Sequence, residues 1–400
     1  MLSDLAVAIA DGAETITDLQ ALGDQPELHG PVASTATAWR VLAGVDAGVL
    51  AELRRGRAAA RERAWLARAE LTGTGLPPSR VAGRDLDAAV IDIDATLVTC
   101  HSDKQGAAGN FKGGFGYHPL LAYLDNTNEA LAGILRPGNA GSNTAADHIT
   151  VLDLALAQLP EAVRDGRILV RTDGAGFSHA WVEHLTEAGL EYSTGFPVTE
   201  QVRSAIAAVP AWAWTPAIDP VGGLRDGADL ADVTGVLDLA RWPAGMRVLV
   251  RRERPHPGAQ LDAFEERDGY RYQAIATNTA VGQLAMLDAR HRARARVEDR
   301  IRTGKDTGIG RFPSRAMAIN AAWLELALTA ADLIAWTQTA LLDGELATAE
   351  PKALRYRLLH TAARITHGQR KTFLRLAAGW PWAKALARAF ARLRRIPLPT

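Results

Sequence analysis

The chain has 400 residues, of which 48% are hydrophobic and 22% are charged. These values are ordinary for a globular protein and exclude a collagen-like or broadly disordered chain. The length suggests two or three domains with a sizeable core. A single cysteine, Cys100, excludes an internal disulfide framework and favours a reducing, cytosolic compartment. No apolar run approaches the roughly 18 residues that a membrane-spanning helix needs, so we expect no membrane partner.

The formal net charge is zero, because 45 basic residues balance 45 acidic ones. The balance is uneven along the chain. Residues 351–400 hold twelve Lys and Arg and no Asp or Glu, which leaves 33 basic and 45 acidic residues in the first 350. Charge segregation of this kind favours a polyanion partner at the basic end. The alternative is that the tail is a solvated basic helix.

Residues 1–80 are predicted to be helical. Apolar residues recur at helical spacing from Leu2 to Ile9, and residues 54–68 are rich in Ala and Arg, which favour helix. Pro77 and the proline after it end this region.

The next part of the chain alternates between strand and helix patterns. Short apolar, β-branched runs indicate buried strands, and the amphipathic runs between them indicate helices. The predicted strands are residues 87–99, 113–124, 128–136, 167–172 and 190–194, and the predicted helices are residues 145–159 and 178–188. This order predicts an α/β sheet.

From residue 199 to 279 the pattern becomes strand-rich, which predicts an insertion with β structure of its own. Helical patterns resume near residue 282. The strongly apolar stretch of residues 316–342 is predicted to be a core helix, because polar residues interrupt it. The basic tail is predicted to contain a hairpin around His367-Gly368-Gln369 and a last helix over residues 382–395.

Three aspartates stand out by their position in predicted strands. Asp92 and Asp94 lie in an otherwise apolar strand, and Asp173 ends another. A carboxylate in a buried strand is unfavourable unless it is paired or binds a metal, and ligands gather at strand ends in open α/β sheets. Asp92 and Asp94 share one face of their strand, so one suits a catalytic role and the other a supporting role. The alternative for each is a capping or turn aspartate.

A further acidic position, Glu298, lies in a predicted helix that is crowded with arginine. Arg294 is one helical turn before it on the same face, and Lys305 is about two turns after it. Glu298 either pairs with arginines on an exposed face or completes a metal site beside which Arg294 and Lys305 hold phosphates. Three carboxylates bind hard divalent cations through oxygen, and two such cations suit phosphodiester displacement.

These residues together resemble the DDE-type insertion-sequence transposases, of the cut-and-paste branch with a Tyr-x2-Arg-x3-Glu-x6-Lys signature. His291, Arg294, Glu298 and Lys305 have that spacing, with His in place of Tyr. Asp94-Ala95-Thr96 matches the first aspartate of the family, and Thr172-Asp173-Gly174 matches the second. Residues 116–121 resemble the second core strand of the family.

The resemblance implies an RNase H-like (retroviral integrase-like) catalytic core on which Asp94, Asp173 and Glu298 hold Mg²⁺ or Mn²⁺. Asp92 is then a supporting carboxylate or the true first ligand. His291, Arg294 and Lys305 would contact DNA. An aromatic residue of the insertion, Trp212 or Trp214, would stack on a flipped base; the alternative is that both pack in the core of the insertion.

The resemblance also implies a domain order and partners. We expect a helical, DNA-binding N-terminal region over residues 1–80, which is shortened relative to the family. The core would span residues 81–198 and 281–345, interrupted by a β-rich insertion over 199–280 and followed by a basic region over 346–400. We expect binding to double-stranded DNA at terminal inverted repeats and at a target, a homodimer on paired ends, and a place in the bacterial cytoplasm at the nucleoid.

The implied activity is metal-dependent nicking at the element ends, followed by attack of the freed 3′-hydroxyl on target DNA. Two alternatives remain open from the sequence. One is a non-catalytic DNA-binding remnant of a truncated element, and the other is a general nuclease with the same core fold.

Overall fold

The computed structural model describes residues 1–141, 144–368 and 370–396. They form one mixed sheet of nine strands with helices packed on both of its faces, besides three smaller sheets. The α/β class that the alternating patterns predict is therefore confirmed.

Five helices make up the N-terminal region. They are α1 (Leu2–Asp11), α2 (Gln20–Gly23), α3 (Pro26–His29), α4 (Thr35–Ala43) and α5 (Ala47–Thr72). The side chain of Ser34 accepts a hydrogen bond from the amide of Thr37 at 3.3 Å, and that of Asp46 accepts one from Val49 at 2.9 Å. Helices α4 and α5 therefore each begin after a capping residue.

Helix α5 is joined to the core by buried ion pairs. Arg57 pairs with Glu325 at 3.0 Å, and Arg61 pairs with Glu129 at 2.7 Å and with Asp332. Buried charges are tolerated only when they are paired and hydrogen-bonded. This network fixes the N-terminal region against the sheet, through Glu129, and against a core helix, through Glu325 and Asp332.

The elements that follow build the centre of the sheet. In chain order they are β1 (Ser79–Val81), β2 (Arg84–Leu86), β3 (Ala89–Ala95), β4 (Val98–Thr99), β5 (Ala108–Gly109), β6 (Phe115–Tyr117), β7 (Leu120–Leu124), β8 (Glu129–Ile134), α6 (Ala145–Leu156), α7 (Glu161–Arg164), β9 (Ile168–Thr172), α8 (His179–Glu187), β10 (Glu191–Phe196) and α9 (Glu200–Ala208). Strands β8, β7, β3, β9 and β10 lie side by side in that order. The first three are antiparallel, and β3, β9 and β10 run parallel.

The predicted strand over residues 113–124 is two strands, β6 and β7, separated at His118 and Pro119. Proline has no amide hydrogen to donate to a strand ladder, so it lies at the boundary between the two.

The insertion is made of β11 (Thr215–Ile218), β12 (Leu224–Asp232), β13 (Arg247–Glu253), α10 (Ala263–Asp268) and β14 (Arg271–Thr277). Its strands do not form a separate sheet. Strand β14 pairs antiparallel with β10, from Ser193 opposite Thr277 to Phe196 opposite Ala274, so the four strands extend the central sheet. This pairing covers an edge of β10 that would otherwise be open to solvent.

The remaining elements are α11 (Leu284–Arg292), α12 (Arg296–Gly304), α13 (Met317–Trp336), α14 (Pro351–Leu354), β15 (Ala363–Gly368), β16 (Lys371–Leu376) and α15 (Ala383–Leu393). Strands β15 and β16 form the predicted hairpin, and Gln369 between them lies outside the described residues. By length and composition, the segment Met317–Leu341 is apolar enough to cross a membrane, but most of it is buried inside the protein. The ion pairs of Glu325 and Asp332 with α5 also place it as a core helix.

Candidate functional site

Two aspartates end neighbouring parallel strands at the same edge of the sheet. In the ladder between β3 and β9, Val90 lies opposite Leu169 and Asp92 lies opposite Arg171. Continuing this register by two residues places Asp173 beside Asp94. Neighbouring strands are roughly 4.8 Å apart, and both side chains project from the same face. The register of the sheet therefore brings together two acids that are far apart in sequence.

The carboxylate of Asp173 is positioned by the turn that follows it. Its Oδ1 accepts hydrogen bonds from the amides of Ala175 at 3.1 Å and Gly176 at 3.2 Å. Asp173 is thus a capping aspartate, as the alternative interpretation of the sequence proposed. Both hydrogen bonds use one oxygen, so capping is compatible with a second role for Oδ2.

Gly195 on β10 is a site residue that the sequence reasoning missed. The register of β9 with β10, in which Thr172 lies opposite Thr194, places Gly195 beside Asp173. A Cβ atom at Gly195 would lie 2.4 Å from the amide nitrogen of Gly174. Only glycine allows the turn after Asp173 to approach β10 so closely. A glycine at the end of a strand pattern is the signal that could have indicated this contact.

Asp94 is largely buried and carries a perturbed carboxyl group. Its pKa is raised to about 6, mainly by burial and also by the nearby charge of Asp173, while the charge of Arg294 opposes the rise. Nη1 of Arg294 donates to its Oδ2 at 3.1 Å, and the amide of Ala95 donates to its Oδ1 at 2.8 Å. Asp94 and Asp173 are neighbouring carboxyl groups, and the raised pKa of Asp94 shows that its charged form is disfavoured. A bound cation would stabilise the charged form of both.

Asp92 lies beneath this edge and has a different role. Its carboxylate is fully buried and accepts hydrogen bonds from Arg171 at 2.6 and 2.8 Å and from Arg300 at 2.9 Å. Both arginines also pair with the buried Asp125. This placement corrects the alternative in which Asp92 is the first metal ligand, because both of its oxygens are occupied by arginines and it has no access to solvent. A supporting role for Asp92 fits this placement, because its ion pair with Arg171 joins β3 to β9, the two strands that carry Asp94 and Asp173.

Glu298 lies on the exposed side of α12. Arg294, one turn before it, contacts Asp94, and Nζ of Lys305, after it, donates to the carbonyl oxygen of Leu97 at 2.9 Å. Two residues flank Glu298 on this face of the helix. Arg294 thus contacts the first aspartate, and Lys305 contacts the segment that follows it. Among the described residues, however, no three acidic, His or Cys side chains are close enough to hold a metal ion. The structure brings Asp94 and Asp173 together, and leaves Glu298 on the neighbouring helix face.

His291 is partly buried beside the aspartate edge. Its Nδ1 shares a hydrogen bond of 2.9 Å with Oγ of Ser193. Burial, together with the charges of Arg294, Arg171 and Arg251, lowers the pKa of His291 to about 3, so the side chain is neutral. A contact of His291 with a phosphate would therefore involve a neutral imidazole rather than a cation.

A cavity of about 430 Å³ opens beside Asp173, between the insertion strands and α11. Its lining includes Arg251, Arg292, Arg294 and Asp288. Asp288 pairs with Arg251 at 2.8 Å and with Arg292 at 2.6 Å, which offsets part of the positive charge. The cavity connects the aspartate edge with the insertion, so a bound strand could contact both.

The two tryptophans of the insertion differ in exposure. Trp214 is partly buried, and the guanidinium of Arg252 lies 4.3 Å from its ring centroid, so it packs against the protein. Trp212 is 83% exposed in the short turn before β11. Of the two tryptophans, Trp212 is therefore the one that is accessible to a ligand.

Comparisons with known proteins bear on this site. A profile of the family described as Transposase DDE domain group 1 matches residues 1–398. No curated protein matches the chain. Among solved structures, the chain is similar to the cryo-EM structure of a piggyBac transposase synaptic complex with hairpin DNA, with a TM-score of 0.41 and 10% identity. The match covers 68% of this chain and 52% of that one, so the chain spans about half the length of that protein.

Proposed function

Since this chain belongs to the transposase family of DDE domain group 1, we propose that it is the DNA transposase of a bacterial insertion sequence. It would cleave the ends of its element and join the freed 3′-hydroxyls to target DNA. The observation that carries the proposal is the closeness of Asp94 to Asp173 at one edge of two parallel strands, which follows from the strand register and from the effect of the charge of Asp173 on Asp94. The order β8-β7-β3-β9-β10, three antiparallel strands followed by two parallel ones, supports assigning an RNase H-like core.

The donor set of this edge fits a hard divalent cation such as Mg²⁺ or Mn²⁺. Asp94 and Asp173 would supply carboxylate oxygens, and Glu298 on α12 would be the third ligand. When bound, such cations activate the attacking oxygen and stabilise the leaving oxygen of a phosphodiester. The raised pKa of Asp94 supports the assignment, because its carboxylate lacks sufficient compensating charge from the protein alone.

The cationic residues beside the edge would position the strand that is cut. Arg294 and Lys305 flank Glu298 and would contact phosphates, with His291 behind them as a neutral hydrogen-bonding group. Trp212 is the exposed aromatic residue available to stack on an unpaired base. Because two element ends must be held together, the protein would act as a homodimer bound to double-stranded DNA. It would do so in the bacterial cytoplasm, at the nucleoid.

The test is end cleavage with the protein and duplexes carrying the terminal inverted repeats of the element that encodes it. With Mg²⁺, the wild type should nick these ends, and Glu298→Gln should reduce the rate by about a thousandfold or more. Asp299→Asn is the matched control, because Asp299 is an exposed neighbour on the same helix. Equal cleavage by wild type and Glu298→Gln would overturn the assignment of Glu298.

A second candidate function is a DNA-binding remnant without catalytic activity. The observation that favours it is that Asp94, Asp173 and Glu298 do not form a group able to hold a metal ion among the described residues. In that case the wild type would bind DNA and cut neither element ends nor other duplexes. A general nuclease would instead cut duplexes with and without the terminal repeats equally well.

A further inference from the structure

The basic tail contains a two-stranded ribbon with chemically distinct faces. In the hairpin β15–β16, Arg364 lies opposite Arg375 and Ile365 lies opposite Leu374. Because side chains alternate along a strand, Arg364, Thr366, Phe373, Arg375 and Lys371 share one face, and Ala363, Ile365, Leu374 and Leu376 share the other. We call the first of these the basic face. The Nε of Arg375 donates to Oγ1 of Thr366 at 3.0 Å, which agrees with this division.

The other face of the ribbon carries apolar residues beside a recess of the protein. Ile365 and Leu374 border this recess together with Leu333, Ile334 and Leu354, as does Arg364, and Leu374 is 44% exposed. The side chains of Arg364, Lys371 and Arg375 on the basic face are exposed. The ribbon therefore presents its cations to solvent rather than to the core.

Within the described residues, no acidic side chain pairs with a cation of the basic face. The ion pairs of the tail join Lys352 to Asp306, Arg357 to Glu345, His360 to Asp11 and Arg392 to Asp343, all outside the ribbon. Like charges directly opposite each other, as at Arg364 and Arg375, destabilise a strand pair. An isolated two-stranded hairpin is also marginally stable in water. Concentrating positive charge on such an element is favourable only when an anionic partner binds it.

We propose that the basic face of the β15–β16 ribbon binds duplex DNA in the major groove, as a site separate from the aspartate edge. The major groove is about 12 Å wide and admits a two-stranded ribbon, and ribbons of this kind do read DNA in other folds. Arg364, Lys371 and Arg375 would contact phosphates or base edges, and Phe373 would supply an apolar contact within the groove. The inference rests on the proposed function only in taking DNA as the substrate.

Binding of a fluorescent mixed-sequence duplex, measured by anisotropy in EDTA, tests the proposal independently of cleavage. Each cation–phosphate contact adds about 0.9 to the slope of log affinity against log salt. The triple variant Arg364→Gln, Lys371→Gln, Arg375→Gln should bind about tenfold or more weakly near physiological salt, with a slope lower by about 2 to 3. Circular dichroism would establish that the variant is folded.

The matched control removes the same charge from the same tail without touching the ribbon. Lys384, Arg388 and Arg395 are on or next to α15, so Lys384→Gln, Arg388→Gln, Arg395→Gln should retain most of the affinity. An equal loss in both triple variants would overturn the proposal, because net charge alone would then explain it. An unchanged affinity in the ribbon variant, with loss of binding to anionic lipid vesicles instead, would also overturn it.

A second probe tests the groove. A duplex whose cytosines carry glucosylated hydroxymethyl groups has its major groove filled with sugar. The wild type should bind this duplex as weakly as the ribbon variant binds ordinary DNA, and the ribbon variant should bind both duplexes alike. Equal wild-type affinity for the two duplexes would contradict binding in the major groove. Absence of end cleavage would bear on the proposed function and leave these binding results intact.

Discussion

The guanidinium of Arg294 lies 3.1 Å from the carboxylate of Asp94, and Arg294 is one helical turn before Glu298. This contact ties the helix that carries the third acid to the strand that carries the first. In this position, the guanidinium of Arg294 can pair with Asp94 or with a phosphate of bound DNA.

Asp94→Asn should stabilise the metal-free protein at neutral pH. The pKa of Asp94 is raised to about 6 in the folded protein and is about 3.9 when the chain is unfolded. Ionisation of Asp94 therefore lowers the stability of the fold as the pH rises through about 6. Asparagine avoids this effect, so we expect a gain of about 1 to 2 kcal/mol near pH 7.5 that disappears below pH 4. Urea unfolding in EDTA measures the difference in the free energy of unfolding between this variant and the wild type. A lower stability of the variant near pH 7.5 would contradict the account.

Asp92→Asn should have the opposite effect on stability. Asp92 is fully buried between Arg171 and Arg300, and removing one partner of a buried ion pair leaves an uncompensated charge. We expect a loss of about 3 to 5 kcal/mol, measured by the same urea unfolding. The contrast with Asp94→Asn distinguishes the supporting aspartate from the proposed ligand. A neutral effect of Asp92→Asn on stability would remove the basis for that distinction.

The rate of end cleavage at low Mg²⁺ should rise as the pH increases through about 6, because Asp94 must lose its proton to bind a cation. Arg294→Gln should shift the midpoint to higher pH, since the charge of Arg294 holds the pKa of Asp94 down. The midpoint of the pH–rate profile is the readout, because this variant also loses a proposed phosphate contact. Arg302→Gln, on the exposed side of the same helix, is the control.

His291→Gln separates the two titratable groups near this edge. The pKa of His291 is lowered to about 3, so it stays neutral across the range in which cleavage is measured. We expect the midpoint of the pH–rate profile to be unchanged in His291→Gln. A midpoint that moves in this variant, and stays in place in Arg294→Gln, would assign the titration to the histidine.

Gly195→Ala should impair cleavage more than folding. The new Cβ would lie 2.4 Å from the amide nitrogen of Gly174, so the turn that holds Asp173 must move. Small displacements of reacting groups reduce rates by about a hundredfold. Gly235→Ala is the matched control, because nothing lies within 4 Å of the Cβ it would add. Cleavage rates together with thermal unfolding measure both effects, and a Gly195→Ala protein that cleaves like the control would exclude this positioning role.

The sequence predicts the residues of the site better than their surroundings. Asp94 and Asp173 are recognisable because each is a charged residue in or after an apolar strand, and Arg294, Glu298 and Lys305 because their spacing follows the helical repeat. The partners of Asp92 are not predictable in the same way. Arg171 and Arg300 reach it through the register of β3 with β9 and the packing of α12, which are long-range properties of the fold.

The insertion illustrates the same limit. Its strand patterns are visible in the sequence, but the pairing of β14 with β10 is a choice of partner between distant segments. Local periodicity does not specify that choice. The closeness of Gly195 to the turn after Asp173 depends on another such choice, the pairing of β10 with β9.

The most direct test of the central claim, that Asp94, Asp173 and Glu298 act as ligands of one divalent cation site, is end cleavage by Asp173→Cys in Mg²⁺ and in Mn²⁺. Sulfur is a poor ligand for Mg²⁺ and a better one for Mn²⁺. The account predicts that this variant is inactive in Mg²⁺ and regains cleavage in Mn²⁺, whereas Asp299→Cys cleaves in both. Equal activity of Asp173→Cys and the wild type in Mg²⁺ would contradict it.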